Sequence, residues 1–186
     1  MSDLISEERH AFIADTHFGH NGISDKFREQ FSSDEDHNNY IHNNILEEGN
    51  RQKTLWILGD SFFKTREFWR LEEYRLKYQQ VNLVLGNHCH SGLPRYALQF
   101  KNVNVFGVLK KFGLWLTHVP VPDYELYRGN CIHGHLHDKQ VSDDIEDRKG
   151  NIVTSLIDQR YFCVSCENID YKPISLSEIK RLRGWD

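Results

Sequence analysis

Five short apolar runs in this sequence each end on histidine, aspartate or asparagine, and that placement constrains the fold more than any other feature. His10–Ala14 leads into Asp15-Thr16-His17, Thr54–Leu58 into Gly59-Asp60, and Val81–Leu85 into Gly86-Asn87-His88. Leu114–Thr117 leads into His118, and Asn130–His133 into Gly134-His135-Leu136-His137. Runs of this length read as buried strands. In α/β folds ligands bind beyond the carboxyl ends of the strands, so the five clusters are expected to converge on one edge.

Two further runs, Val103–Phe106 and Tyr161–Cys166, complete a set of seven candidate strands alternating with longer amphipathic segments. That pattern fits strands covered on both faces by helices or a second sheet. Ser33 can cap a helix with Asp36 at the capping-box position and Gly49 as its stop. A second helix is expected from after Thr65 to about Tyr78, with Phe68, Leu71 and Leu76 facing inward. A third follows Ser175, with Glu178 as its reciprocal cap. Asp138–Asn151 is charged and poor in apolar residues, and reads as an exposed loop.

The chain has 186 residues, enough for one well-buried core, so residues 1–186 are read as a single domain. Its 23 basic and 27 acidic side chains give a net charge of -4, which supplies no global attraction for duplex nucleic acid. Any affinity for phosphate must then come from the site. The first ten residues carry no apolar signal-peptide core, and no run approaches the roughly 20 residues that span a bilayer. The four cysteines are too scattered for an extracellular disulfide framework, and a reducing cytoplasm is expected.

Glycine before Asp60, Asn87 and His135 suits a chain turning sharply off a strand, where positive φ or room without a Cβ is needed. The clusters supply two carboxylates, one amide oxygen and four imidazoles: Asp15, His17, Asp60, Asn87, His118, His135 and His137. This mixed donor set suits manganese, iron, zinc, nickel or cobalt rather than calcium alone, and manganese is the ion expected. Seven donors exceed the needs of one tetrahedral ion. Two divalent ions can share them if a carboxylate bridges, and such pairs recur in phosphoester hydrolysis.

The ordered blocks D-x-H, G-D, G-N-H, a lone His and G-H-x-H, spanning Asp15 to His137, resemble the calcineurin-like metallophosphoesterases. The short length and the block DTHFGH are similar to the small, uncapped, single-domain bacterial and phage members. The resemblance implies an α/β fold of α+β type: a two-sheet β-sandwich flanked by helices in four α/β/β/α layers. It further implies that Asp15, His17 and His137 hold one ion, that Asn87, His118 and His135 hold the other, and that Asp60 bridges. His88, with Asn87 beside it, would face the substrate.

Two departures stand out. Cys89 follows Asn87-His88 where relatives commonly carry an acid, which removes a carboxylate that would support His88. Gly59–Lys64 reads GDSFFK and lacks the Asp-Arg-Gly extension of protein Ser/Thr phosphatases, which argues against a phosphoprotein substrate.

The implied chemistry is hydrolysis of a phosphodiester or phosphomonoester, of a small nucleotide-like molecule, because no inserted cap domain is visible. Two cations would polarise a bridging water, the resulting hydroxide would attack phosphorus in line, and His88 would protonate the leaving alkoxide. Asp60 and His88 are thus the expected catalytic pair. The alternatives are a nuclease on single-stranded nucleic acid and a non-catalytic binding module on the same fold. The sequence is silent on oligomeric state.

Other histidines have plainer readings. His10, His37, His42 and His90 are read as solvated surface, and His133, inside a strand, as a hydrogen-bonded structural residue. His20 and Asn21 either touch substrate or brace the loop. Cys163-Val164-Ser165-Cys166 has CxxC spacing without a second pair, and buried thiols are expected. Phe68–Tyr78 mixes rings with basic residues and is read as a core-facing helical stripe rather than a single-strand nucleic-acid surface. Lys26, Arg28, Lys110 and Lys111 would either guide an anionic substrate or solvate turns.

Overall fold

In a computed structural model, which describes residues 6–185, the apolar runs become strands. They are β1 (His10–Ile13), β2 (Thr54–Leu58), β3 (Gln80–Val84), β4 (Val103–Phe106), β5 (Leu109–Lys111), β6 (Leu114–Leu116), β7 (Cys131–His133), β8 (Ser142–Glu146), β9 (Ile152–Ile157), β10 (Tyr161–Cys163) and β11 (Ile174–Ser175). The helices are α1 (Ile23–Lys26), α2 (Asp34–Glu48), α3 (Trp69–Lys77), α4 (Leu93–Ala97) and α5 (Leu176–Arg183).

The first sheet runs β11-β1-β2-β3-β4, with β1 to β4 parallel and β11 antiparallel at the edge. All five residues of β2 are buried, which is why Thr54–Leu58 reads as one continuous apolar run. Alternation divides these strands between two cores. Ile13, Leu55, Ile57, Val81 and Leu83 pack with Ile41 and Ile45 of α2 and Leu71 and Tyr74 of α3. Phe12, Ala14, Trp56, Leu58 and Val84 pack with Leu116, Ile132 and Phe162 of the second sheet.

That second sheet runs β10-β7-β6-β5, with β10, β7 and β6 parallel and β5 antiparallel. Its outer face carries a smaller cluster in which Cys131 and Tyr161 meet Leu126, from a 3₁₀ helix over Asp123–Arg128. The result is the two-sheet, helix-flanked mixed α/β fold implied by the resemblance, with a 3₁₀ segment against the far face. The helix α5 lies at the β1/β11 edge and sends Leu176 and Ile179 into the inter-sheet core.

The sheets are tied together at the carboxyl ends of their strands. Ala14 donates its N–H to the Val164 carbonyl at 2.8 Å, Cys166 donates to Ala14 at 3.1 Å, and Asp15 donates to Gly59 at 3.1 Å. These bonds place the ends of β1, β2 and β10 side by side.

The capping expectations are met at the donor end. Ser33 Oγ accepts from Asp36 N–H at 3.1 Å, and Ser175 Oγ accepts from Glu178 N–H at 3.2 Å. The reciprocal arms differ: Asp36 accepts from Ser32, one residue before the cap, and Glu178 pairs with Arg181. Ser33→Ala leaves an N–H of α2 without its side-chain acceptor and is expected to cost roughly 0.5–2 kcal/mol of stability, measurable by urea denaturation.

Several expectations are corrected. Asp138–Asn151 is not simply loop, because Ser142–Glu146 pairs with Ile152–Ile157 as an exposed hairpin. The acidic residues Asp143 and Asp144 mask its strand character. Leu76 is 54% exposed, lying off the stripe formed by Leu71 and Tyr74. His37 and His42 are buried, with His42 held by Tyr74 and Glu73 at 2.9 and 3.1 Å. His10 and His90 are half-buried acceptors, from the Trp56 indole N–H and the Gly92 N–H.

The strand ends also retract, to Ile13, Val84, Leu116 and Cys163, and the 131–133 strand starts at Cys131. No helix among the described residues is long and apolar enough to cross a membrane.

Candidate metal centre

The five clusters meet beyond the strand ends. Asp15, fully buried after β1, uses Oδ2 to accept the His135 N–H at 2.8 Å and the Ser165 hydroxyl at 2.7 Å. Asp60, after β2, uses Oδ1 to accept the His88 N–H at 2.8 Å. His17 donates its N–H to the Asp60 carbonyl at 2.9 Å, which fixes the first two loops against each other. The backbone of each loop is thus anchored by the carboxylate or carbonyl of another.

Two donor groups form within this frame. Ligand atoms of Asp15, His17 and His137 lie within 4.8 Å of one another, and so do those of Asp60, His118 and His135. Asn87 joins the second group, its Oδ1 lying 2.9 Å from His118 Nε2. All seven residues singled out in the sequence therefore gather in one place. His20 and His88 line the adjoining cleft.

The backbone is bent to achieve this. Asp15, His17, Asp60, His135 and His137 all have positive φ, between 44° and 72°. Such conformations cost an L-residue roughly 1–2 kcal/mol each, and aspartate and histidine tolerate them better than branched residues. Strain of this kind concentrated on one set of side chains is typical of a site held in shape by its surroundings.

The glycines act mainly through space. A Cβ on Gly86 would fall 2.2 Å from Asp60 Oδ1, and one on Gly134 would fall 2.6 Å from Asp15 Oδ2. At Gly59 it would fall 2.2 Å from His118 Nδ1. Of the three, only Gly59 also needs positive φ.

The donor atoms have the arrangement that cations require. His118 Nδ1 donates to the Leu58 carbonyl at 3.0 Å and His137 Nδ1 donates to Glu167 Oε1 at 3.0 Å, leaving both Nε2 atoms facing the centre. Around His118 Nε2 stand Asn87 Oδ1 at 2.9 Å and Asp60 Oδ2 at 3.3 Å, so three acceptors converge unless the imidazole is doubly protonated. A cation satisfies all three. In the other group Asp15 Oδ1 and both ring nitrogens of His17 are buried without any hydrogen-bond partner. Buried polar atoms left bare are rare, and here two of them, His17 Nε2 and Asp15 Oδ1, lie 3.6 Å apart.

The protonation tendencies follow from the same contacts. Burial alone would raise the pKa of Asp15, but His17, His118 and Ser165 hold it below the usual carboxylate value. Asp60 is likewise opposed by burial and held low by His118 and the His88 N–H. Burial lowers His17; His118 is pushed up, because Asp60 and Asp15 outweigh its burial. His137 is raised by Glu167.

The surrounding shell contains residues that sequence reasoning missed. Glu167 supports His137, and Arg28 supports Glu167 at 2.8 Å. Arg28 is buried: it also donates to the Asp15 carbonyl at 2.7 Å and contacts His37 at 2.6 Å, so it does not guide substrate. Burial would lift the Glu167 pKa, but His137 and Arg28 bring it down to about 2. Glu167 directly follows the CxxC tetrad, whose cysteines are both buried and free.

Phe63 was also overlooked. It stacks on His88 with ring centroids 5.5 Å apart and forms one wall of the cleft. Cys89 Sγ accepts from Gly86 N–H at 3.3 Å, closing its own loop. His133 is fully buried and bonded through Nδ1 to the Gly134 carbonyl at 2.8 Å. Asn21 accepts from Lys64 at 2.6 Å, bracing the loop beside His20.

Fold and site together define a metallophosphoesterase scaffold, and the family comparison agrees: the calcineurin-like phosphoesterase signature matches residues 9–167. The chain belongs to that family. It is 26% identical over 174 residues to an uncharacterized protein of Methanocaldococcus jannaschii, covering 91% of this chain and 88% of that one. The crystal structure of a protein of unknown function from Aquifex aeolicus superimposes with a TM-score of 0.64 at 25% identity, covering 93% of this chain and 98% of that one.

Proposed function

We propose that this protein hydrolyses a phosphate ester, diester or monoester, using two divalent cations, with manganese the first metal to test. The observation that supports this most is the pair of donor groups, each with one carboxylate and two imidazoles whose ligand atoms lie within 4.8 Å of one another. Asp15, His17 and His137 would hold one ion, Asn87, His118 and His135 the other, and Asp60 would serve both. Bound there, the two ions supply Lewis acidity that activates water and neutralises charge on the phosphoryl oxygens.

The chain's own residues account for the rest. Leu58 and Glu167 fix the tautomers of His118 and His137, presenting Nε2 to the centre. His88 is exposed at the cleft, its N–H spent on Asp60 and its ring held flat against Phe63. From that position it can give a proton to the departing oxygen, the role for a positioned imidazole in general acid catalysis.

Chelator-stripped protein should be inactive on bis(4-nitrophenyl) phosphate and 4-nitrophenyl phosphate and should regain activity on at least one with added Mn²⁺. Failure of both esters across the candidate metals would reject the hydrolytic reading. His88→Ala should keep the metals and lose roughly 10²–10⁴-fold in turnover, most severely with alkyl leaving groups. An equal loss across leaving groups of different pKa would exclude proton donation by His88.

A further inference from the structure

Beside the metal centre the cleft, about 750 Å³, extends between α1 and the loop after His137. One ring on its wall stands open to solvent. Phe27, at the end of α1, is 70% exposed, the one exposed phenylalanine among the described residues. The turn before it is firmly held: Asp34 accepts from Gly22 N–H at 2.6 Å, Ser24 N–H at 3.1 Å and the Ser24 hydroxyl at 2.9 Å. Ile23 and Arg28 on either side are buried.

The rings beside the metal centre form a graded series. His20 lies edge-on to Phe27 with centroids 6.1 Å apart and edge-on to Phe63 at 4.9 Å, and it stands 5.9 Å from His17. Phe63 is occupied by His17 and His88, whereas Phe27 is not enclosed. The flanking charge is cationic. Lys26 and Lys139 are exposed in this cleft, and neither is used by an ion pair among the described residues. Arg28 is neutralised by Glu167, and Asp138 is the one exposed acid on the cleft wall.

From this geometry we infer that Phe27, with His20 at its edge, forms a subsite for the nucleobase of a nucleotide ester. The inference rests on the proposed phosphoesterase reading and names its substrate class. The two ring steps from His17 to Phe27 leave space for a spacer between phosphorus and the stacked ring. A ribose provides that spacer. Lys26 and Lys139 supply the attraction for an anion that the net charge of -4 does not.

Thymidine 5′-(4-nitrophenyl phosphate) and methyl 4-nitrophenyl phosphate share a leaving group and differ in the nucleoside. The metal-loaded protein should favour the thymidine ester in kcat/KM by roughly 5- to 150-fold, the usual worth of one stacked base. In Phe27→Ala that ratio should fall toward one, and Phe27→Trp should retain it. No preference in the native protein, or the same preference in Phe27→Ala, would overturn the subsite.

If neither diester turns over, the subsite is read by binding alone. Fluorescence of 2-aminopurine riboside 5′-monophosphate should be quenched by Zn²⁺-loaded native protein and not by Phe27→Ala. Absence of quenching with the native protein would overturn the nucleobase assignment.

Discussion

Asp60→Asn is expected to lower kcat/KM on a chromogenic phosphodiester by at least about 10³-fold while the protein remains folded. The substitution is nearly isosteric, and the Asn side-chain oxygen can still accept the His88 N–H that Asp60 Oδ1 accepts at 2.8 Å. What it removes is the negative charge facing His118 at 3.3 Å. On our reading Asp60 is the shared donor, so its charge is worth several kcal/mol of cation binding and transition-state stabilisation, and each 1.36 kcal/mol is tenfold in rate. Circular dichroism should show a native spectrum alongside the kinetic loss. Retention of more than a tenth of native activity would remove Asp60 from the centre of the scheme.

The second large effect concerns stability. Arg28→Ala deletes a buried guanidinium that joins the Asp15 carbonyl, Glu167 and His37. Glu167 would be left with a single partner in a mostly buried position, and the Asp15 carbonyl would lose a donor just where its backbone has positive φ. Breaking a buried pair by removing one member typically costs about 3–5 kcal/mol. For a domain of this size that corresponds to a fall in Tm of roughly 6–20 °C. Thermal unfolding of the chelator-treated variant against chelator-treated native protein measures it without the contribution of bound metal. A shift below about 2 °C would show that Arg28 is a bystander.

The sequence reveals the centre more fully than its supports, for a physical reason. Asp15, Asp60, Asn87, His118, His135 and His137 each follow an apolar run by one to a few residues, and strand pairing within each sheet together with the packing of the two sheets brings such positions together. Gly59, Gly86 and Gly134 could be recognised as making room, although the positive φ falls mostly on the ligand candidates themselves. Arg28, His37 and Glu167 offered no comparable signal. They lie far apart in the chain, and their charges become acceptable in the interior only through one another.

The same limit explains His42, whose burial depends on Tyr74 and Glu73 on another helix. It also explains the hairpin at Ser142–Ile157, where acidic residues on an exposed strand imitate a loop. Phe27 was hidden for the opposite reason. In sequence it is an ordinary apolar residue beside Ile23, and only its exposure against the cleft sets it apart.

The most direct test of the two-cation centre is to count the ions. Chelator-stripped protein titrated with Mn²⁺ and followed by calorimetry should take up two equivalents per chain, and Asp60→Asn should lose at least one of them. One equivalent in the native protein, or two retained in the variant, would contradict a centre in which both ions depend on Asp60.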